Sequence, residues 1–163
     1  MPRDKIYKDS ETGCCPRFDP KPWHDKQITW KDKLFLKDSM RTFFHIPLGF
    51  GKLMTKKMEK ITKYGALVKE PLRFTEDISA FKTNIYIAVS KDIPGENMEK
   101  MSGTFLTKVF EGSFKDCGKW AKEMQTYVKS KGKVAKNIYF FYTTCPHCAK
   151  VYGKNYVVIL AKI

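Results

Sequence analysis

Two stretches of the chain, GKLMTKKMEKITKYG at residues 51–65 and GKWAKEMQTYVKSKG at residues 118–132, have the same length, begin with Gly-Lys and end with Gly. In each, apolar side chains recur with the period of a helix that covers a sheet, and the closing glycine suits the left-handed stop of a helix. An apolar stretch follows each at the same offset, at 70–75 and 137–142. The chain therefore resembles one structural unit used twice.

Alternating and β-branched runs around the two helices predict the strands of each unit. In the first unit we expect strands near 28–30, 41–46, 72–74 and 84–89. A polar segment with Pro94 and Gly95 at 91–99 is the expected linker. In the second unit we expect strands near 104–110, 137–142 and 156–161.

These elements predict an α+β domain made of two β-α-β-β repeats, at about 27–90 and 100–163. The repeats are expected to form a mostly antiparallel sheet with the two main helices on one face and a pseudo-two-fold ligand groove between the repeats. Residues 1–26 are polar and rich in proline, which indicates an extended arm beside a single domain at 27–163. The aromatic side chains Phe18 and Trp23 are expected to dock this arm on the domain.

Composition narrows the class of protein. The chain has 163 residues and a net charge of +14, which raises the question of a nucleic-acid or membrane partner. Only four cations are arginines, and the rest are lysines spread along the chain, which disfavours reading of nucleic-acid bases. The longest apolar run is too short to span a bilayer, and no secretory signal is evident, so we expect a cytoplasmic protein with no membrane partner.

The strand, turn and helix of GTFLTKVFEGSFKDCGKWAKEMQTYV, residues 103–128, resemble the gyrase-inhibitor-like (GyrI-like) superfamily of small-molecule-binding proteins. The segments WKDKLF and FFHIPLGFG, at 30–35 and 43–51, resemble a stand-alone subset of that superfamily whose members are often labelled hydrolases. The resemblance implies a cleft lined by aromatic side chains that holds a small hydrophobic or cationic organic ligand. The family's usual glutamate on the last strand is missing here, since no Asp or Glu follows Glu123.

Two residues are candidates for catalysis. Glu111, at the turn before the second helix, matches the place where the family turns into its helix, and desolvation would raise its pKa toward that of a general base. Its alternative role is that of a surface turn residue near a helix start. His45, before Pro47, is a candidate for proton transfer, and its alternative is a structural histidine among Phe and Ile side chains.

Aromatic side chains are the candidates for the ligand-binding walls, with cation–π attraction for a positively charged ligand. Half of those on the strands must instead belong to the core, because strand faces alternate. The candidates are Tyr86, Phe105, Trp120, Tyr139, Phe141, Tyr142 and Tyr156.

Four cysteines offer a different chemistry. Cys145 and Cys148 have the C-x-x-C spacing, within a C-P-H-C tetrapeptide similar to that of disulfide oxidoreductases, and Cys14 and Cys15 are adjacent in the arm. Too few residues follow Cys148 to complete a thioredoxin unit. The four thiols could form a tetrahedral structural zinc site or remain free in a reducing cell.

The sequence thus predicts a small-molecule-binding protein, with hydrolysis or sequestration of an amphipathic or electrophilic compound as its activity and no required cofactor. A zinc-stabilised or thiol-reactive protein centred on the C-P-H-C loop is the alternative, and a basic adaptor that binds nucleic acid is the third.

Overall fold

The structure is a computed structural model that describes residues 18–43, 46–47, 49–69, 72–143 and 150–163. Two helices of fourteen residues each, α1 (Phe50–Lys63) and α2 (Cys117–Ser130), lie where the glycine-bounded segments predict them, and a 3₁₀ turn at Phe114–Asp116 leads into α2. The strands are β1 (Lys26–Phe43), β2 (Ile46–Pro47), β3 (Arg73–Ser79), β4 (Lys82–Ala88), β5 (Asn97–Glu111), β6 (Asn137–Tyr142) and β7 (Tyr156–Lys162).

The strands are joined in the order β2-β1-β4-β3-β6-β7-β5, and β1 also pairs with β5. Six strands therefore form a closed antiparallel β-barrel of hydrogen-bonded pairs. The predicted α+β fold, an open sheet with two main helices on one face and a ligand groove between repeats, is wrong. Closure is favoured because an open sheet would leave two edges of unpaired N–H and C=O groups.

The predicted boundaries failed most clearly at β1. This strand has 18 residues and covers the short strand expected at 28–30, the charged residues that follow it, and the first half of the strand expected at 41–46. Its length lets it pair with β2, β4 and β5. The expected linker at 91–99 is also shorter than predicted, because β5 begins at Asn97.

The chain divides into two compact units, one of residues 29–103 and the other of residues 1–28 with 104–163. In the 29–103 unit β4 pairs with both β1 and β3, and α1 buries Met54, Met58 and Ile61. An ion-pair network joins α1 to the loop before β5, since Lys57 and Lys60 contact the two carboxylate oxygens of Glu96 at 2.7 and 2.9 Å.

In the other unit β7 pairs with both β5 and β6, and all its residues from Val157 to Ala161 are buried. Helix α2 packs Trp120, Met124 and Val128 against one face of these strands, in a cluster completed by Leu106, Phe110, Phe140, Val157, Ile159 and Ala161. Within the described part of the chain, no helix is long and apolar enough to cross a membrane.

Candidate functional site

A row of side chains crosses three strands of the 29–103 unit on the sheet face opposite α1. Helix α1 covers the other face, because its Lys57 contacts Asp38 of β1, with 2.9 Å between Nζ and Oδ2. Successive strand residues point to opposite faces. Lys37 of β1 therefore projects away from α1, directly beside its partner Tyr86 of β4, which in turn lies beside Phe74 of β3.

Two glutamates complete this row, and we call the four residues Lys37, Glu76, Tyr86 and Glu99 the Lys37–Tyr86 cluster. The Lys37 ammonium lies 3.0 Å from a carboxylate oxygen of Glu99 and 5.5 Å from the centre of the Tyr86 ring. The Tyr86 hydroxyl donates a hydrogen bond of 3.4 Å to Glu76. The cluster thus contains one cation, one phenol and two carboxylates.

The electrostatics of the cluster keep the phenol and the ammonium protonated. Burial raises the pKa of Tyr86, which is only 3% exposed, and the negative charges of Glu76 and Glu99 raise it further. The hydrogen bond to Glu99 raises the pKa of Lys37 above its usual value, against a smaller effect of burial. At neutral pH both groups are therefore hydrogen-bond donors.

Aromatic rings form an apolar wall beside the cluster. Phe35 contacts Phe74 edge to face at 5.1 Å, and Phe74 contacts Tyr86 at 5.2 Å between ring centres. Trp30 stacks on Phe74 at 6.0 Å and carries the ammonium of Lys33 over its ring at 5.7 Å. Phe35 and Phe74 are buried, and Trp30 is the partly exposed edge of this wall. An exposed apolar side chain beside a few convergent polar groups is typical of small-molecule sites.

The groups of the Lys37–Tyr86 cluster match the requirements of hydrolysis. A phenol and an ammonium that converge can stabilise negative charge that develops on a substrate oxygen. A carboxylate next to them can accept a proton from water. The side chains of Lys37 and Glu99 are 30% and 40% exposed, so water reaches this edge of the cluster while the Tyr86 ring stays dry.

Comparison with known proteins supports a hydrolase label. The sequence model of a family described as "Bacterial hydrolase" matches residues 6–163. The chain belongs to this family. A solved structure described as a hydrolase encoded by lin2189 from Listeria innocua has a similar fold, with a TM-score of 0.60 and 11% identity over 86% of this chain and 92% of that chain. No curated protein matches the sequence.

The residues that the sequence predicted for the site lie in both compact units. Tyr86 lies in the Lys37–Tyr86 cluster. The six other predicted aromatic residues lie in the unit of residues 1–28 and 104–163. There Phe18 contacts Phe141 and Tyr156, Trp23 contacts Phe141, and Phe105 contacts Tyr139, with ring centres 5.6–6.1 Å apart.

The segment before β1 is fixed to this unit by polar contacts as well. The buried hydroxyl of Thr107 donates to the carbonyl of Trp23, and the Val109 N–H donates to Nδ1 of His24 at 3.3 Å. These contacts match the expected docking of the arm through Phe18 and Trp23. Its aromatic side chains cover the face on which Phe141 and Tyr156 lie.

Trp120, Tyr142 and Glu111 belong to the same unit but make other contacts. Trp120 is buried under α2 and stacks on Phe110 at 5.6 Å, and the half-buried Tyr142 stacks on Phe140 at 6.3 Å. Glu111 is exposed at the end of β5, opposite Tyr156.

His45 and the predicted zinc ligands Cys14, Cys15, Cys145 and Cys148 lie outside the described residues. Among the residues that are described, no three His, Cys, Asp or Glu side chains are grouped as a metal site would require.

The sequence interpretation missed Lys37, Glu76 and Glu99. The signal for Lys37 is the alternation across LFLKDSMRT at 34–42, which sets Lys37 on the same face as Phe35 and opposite Leu36 and Asp38. Glu99 was assigned to a linker, and strand pairing brings it to Lys37, a contact that local sequence does not encode.

Proposed function

We propose that this protein hydrolyses a small electrophilic organic molecule, such as a carboxylic ester, at the Lys37–Tyr86 cluster. The observation that carries the proposal is the buried Tyr86 phenol, held between the Glu76 carboxylate and the Lys37–Glu99 ion pair. The hydrolase label of the family supports the reaction class.

The proposed reaction begins when the substrate carbonyl oxygen takes the hydrogen bond that Tyr86 gives to Glu76 in the free protein. Glu76 then accepts a proton from water, while the water oxygen forms a bond to the carbonyl carbon. The resulting oxyanion is stabilised by the Tyr86 hydroxyl and the Lys37 ammonium. When the oxyanion collapses, the bond to the leaving oxygen breaks, and that oxygen takes the proton from Glu76. Glu99 is a positioning residue that holds Lys37.

The amphipathic nature of the ligand is part of the same proposal. The partly exposed ring of Trp30, which packs on the buried Phe35 and Phe74, gives the substrate an apolar surface near the reacting groups. Kinship with the GyrI-like superfamily is a further element of the proposal, supported by the strand order. In each unit the first strand pairs with the last, and the last pairs with the middle one.

The first test is hydrolysis of p-nitrophenyl esters by the purified protein and by Tyr86→Phe. Loss of one oxyanion donor is expected to lower kcat about 10²–10³-fold. The variant should remain folded, because phenylalanine keeps the ring contacts with Phe35 and Phe74. Tyr64→Phe, which removes a hydroxyl from an exposed tyrosine of the same unit, is the matched control and should leave kcat unchanged.

Glu76→Gln tests the general base in the same assay and is expected to lower kcat about 10²–10⁴-fold. Glu59→Gln, on the exposed side of α1, is its control. Full activity in both Tyr86→Phe and Glu76→Gln would show that hydrolysis occurs elsewhere in the molecule.

A further inference from the structure

The face that carries Lys37 and Tyr86 continues along β1 and β4 to the end of the sheet. The next pair in register on this face is Ser39 with Asn84, and the following pair is Arg41 with Lys82. Three consecutive pairs of polar side chains therefore lead from the Lys37–Tyr86 cluster to two cations. Arg41 and Lys82 are both exposed.

The Arg41–Lys82 pair is unfavourable on its own. Side chains directly opposite each other in an antiparallel pair are close together, with Cβ atoms about 4.5–5.5 Å apart, and like charges there destabilise the sheet. Among the residues that the structure describes, no acidic side chain forms a salt bridge with either cation. Proteins retain unfavourable like-charge pairs of this kind mainly at functional sites.

The two cations also border an open depression in the surface. It has a volume of about 400 Å³ and is lined by Ser39, Met40, Arg41, Phe81 and Lys82. Phe43 and Phe81 form an exposed aromatic rim beside it, with 6.5 Å between ring centres. A guanidinium group, an ammonium group and an apolar rim around one depression suit an organic anion better than a metal ion or a neutral polar molecule.

We infer that Arg41 and Lys82 bind a carboxylate on the substrate of the Lys37–Tyr86 cluster, so that the substrate is an ester with a free acid at its far end. This inference rests on the proposed hydrolase function. Arg41 offers two parallel N–H donors to the carboxylate, and Lys82 adds a second positive charge. The like-charge repulsion between them is relieved when the carboxylate binds.

The strand register also sets the length of the substrate. Arg41 lies four positions after Lys37 and Lys82 four positions before Tyr86, and four steps along an antiparallel strand span about 13 Å. The carboxylate and the scissile bond should therefore be separated by roughly that distance. An ester whose free carboxylate lies only a few bonds from the scissile bond would not reach both the Arg41–Lys82 pair and the Lys37–Tyr86 cluster.

The experiment uses p-nitrophenyl monoesters of straight-chain dicarboxylic acids of increasing length. Each is compared with the diester of the same length in which the free acid is converted to a methyl ester and the p-nitrophenyl ester is kept. In the unmodified protein the free acid should be preferred in kcat/KM by about 10–100-fold at the optimal length, the range expected for hydrogen bonds to a charged group. The double variant Arg41→Gln with Lys82→Gln should lose this preference and keep its activity on the diesters. Lys52→Gln with Lys63→Gln, which removes two exposed cations of α1, should retain it.

The outcomes separate the two proposals. Equal rates on monoesters and diesters at every length would overturn the carboxylate site and leave the hydrolase function intact. If no ester is hydrolysed, the hydrolase function fails, and calorimetric binding of the free dicarboxylates decides the site alone. Binding that weakens about tenfold or more in the Arg41→Gln, Lys82→Gln variant would support the site. Equal or absent binding in both proteins would overturn it.

Discussion

Burial acts differently on two ionisable side chains of the 29–103 unit. In Tyr86 burial and the neighbouring carboxylates act in the same direction, and both raise the pKa. In Glu96 burial alone would raise the pKa, but the hydrogen bonds from Lys57 and Lys60 outweigh it and hold the pKa below its usual value. The first effect preserves a donor, and the second preserves an ion-pair network.

The Tyr86 phenol should ionise later than an ordinary tyrosine. Its pKa lies above the ordinary value of 10.0, so the midpoint of phenolate formation is expected above pH 10. The measurement is an ultraviolet titration of the native protein with that of Tyr86→Phe subtracted. A difference signal that titrates below pH 10 would contradict the assigned environment.

The Glu96 network should contribute to stability in a defined pH range. A carboxyl group whose pKa is depressed in the folded state stabilises it above the unfolded pKa, about 4.5, and this contribution is lost as the pH falls through the folded pKa. Glu96→Gln, at a side chain only 10% exposed, is expected to lower the free energy of unfolding at pH 7 by about 1–2 kcal/mol.

Urea denaturation at pH 7 and pH 3 measures this effect. The difference between the native protein and Glu96→Gln should shrink at the lower pH, because the native carboxyl group becomes protonated. Glu123→Gln, at an exposed position of α2, should show no difference at either pH.

At the scale of elements, the turn between β5 and α2 depends on a glycine. Gly112 has φ +149°, and a Cβ atom there would lie 3.1 Å from Cζ2 of the buried Trp120. Its N–H donates to the Asn155 carbonyl at 3.1 Å, and its carbonyl accepts from the Asn155 amide at 2.7 Å. The turn therefore places α2 and the segment before β7 at a fixed spacing.

Gly112→Ala should destabilise the protein by about 1–3 kcal/mol, because alanine is strained at this φ and its methyl group would press on Trp120. Gly118→Ala is the opposite control. Gly118 lies inside α2 with no neighbour within 4 Å of the added methyl group, so alanine there should stabilise the protein by about 0.5–1 kcal/mol. Chemical denaturation distinguishes the two, and equal effects would contradict the packing argument.

The elements differ in how well local sequence predicts them. Both helices were predicted because their apolar residues repeat every three or four positions and their ends carry glycines. The long strand β1 was not, since its middle has the charges of Lys31, Asp32 and Lys33, and Asp32 has a positive φ of 50°. The Ser102 hydroxyl of β5 accepts a hydrogen bond from the Asp32 N–H at 2.8 Å, a partner 70 residues away that no local pattern reveals.

At the scale of the whole molecule, the net charge of +14 should oppose the compact state. Added sodium chloride is expected to raise the midpoint of thermal unfolding, because the screening length falls from about 30 Å at 0.01 M to about 8 Å at 0.15 M salt. Differential scanning calorimetry over this range measures the effect.

A variant with Lys119, Lys122 and Lys133 replaced by glutamine should show a smaller rise, since these exposed lysines contribute to the repulsion. A midpoint that falls with salt would mean that ion pairs such as Lys57–Glu96 outweigh the repulsion of the excess lysines.

The closed ring of strands was beyond the sequence prediction for a physical reason. Alternating patterns identify strands and their buried faces, but the choice of edge partner depends on pairings between distant segments, such as β1 with β5. The candidate site shows the same limit. Residue type made Tyr86 a candidate for ligand binding, whereas Glu99 reaches Lys37 only through folding.

The boundaries of the two compact units, after Ile28 and after Gly103, fall inside β1 and β5. The predicted sequence repeats instead meet in the segment between β4 and β5. The bounds of the compact units therefore differ from the ends of whole strands. A gene fragment for residues 29–103 would cut both β1 and β5 within the strand. Chimeras that join the N-terminal part of one family member to the C-terminal part of another should therefore fold only when the junction lies near residues 91–96, between β4 and β5.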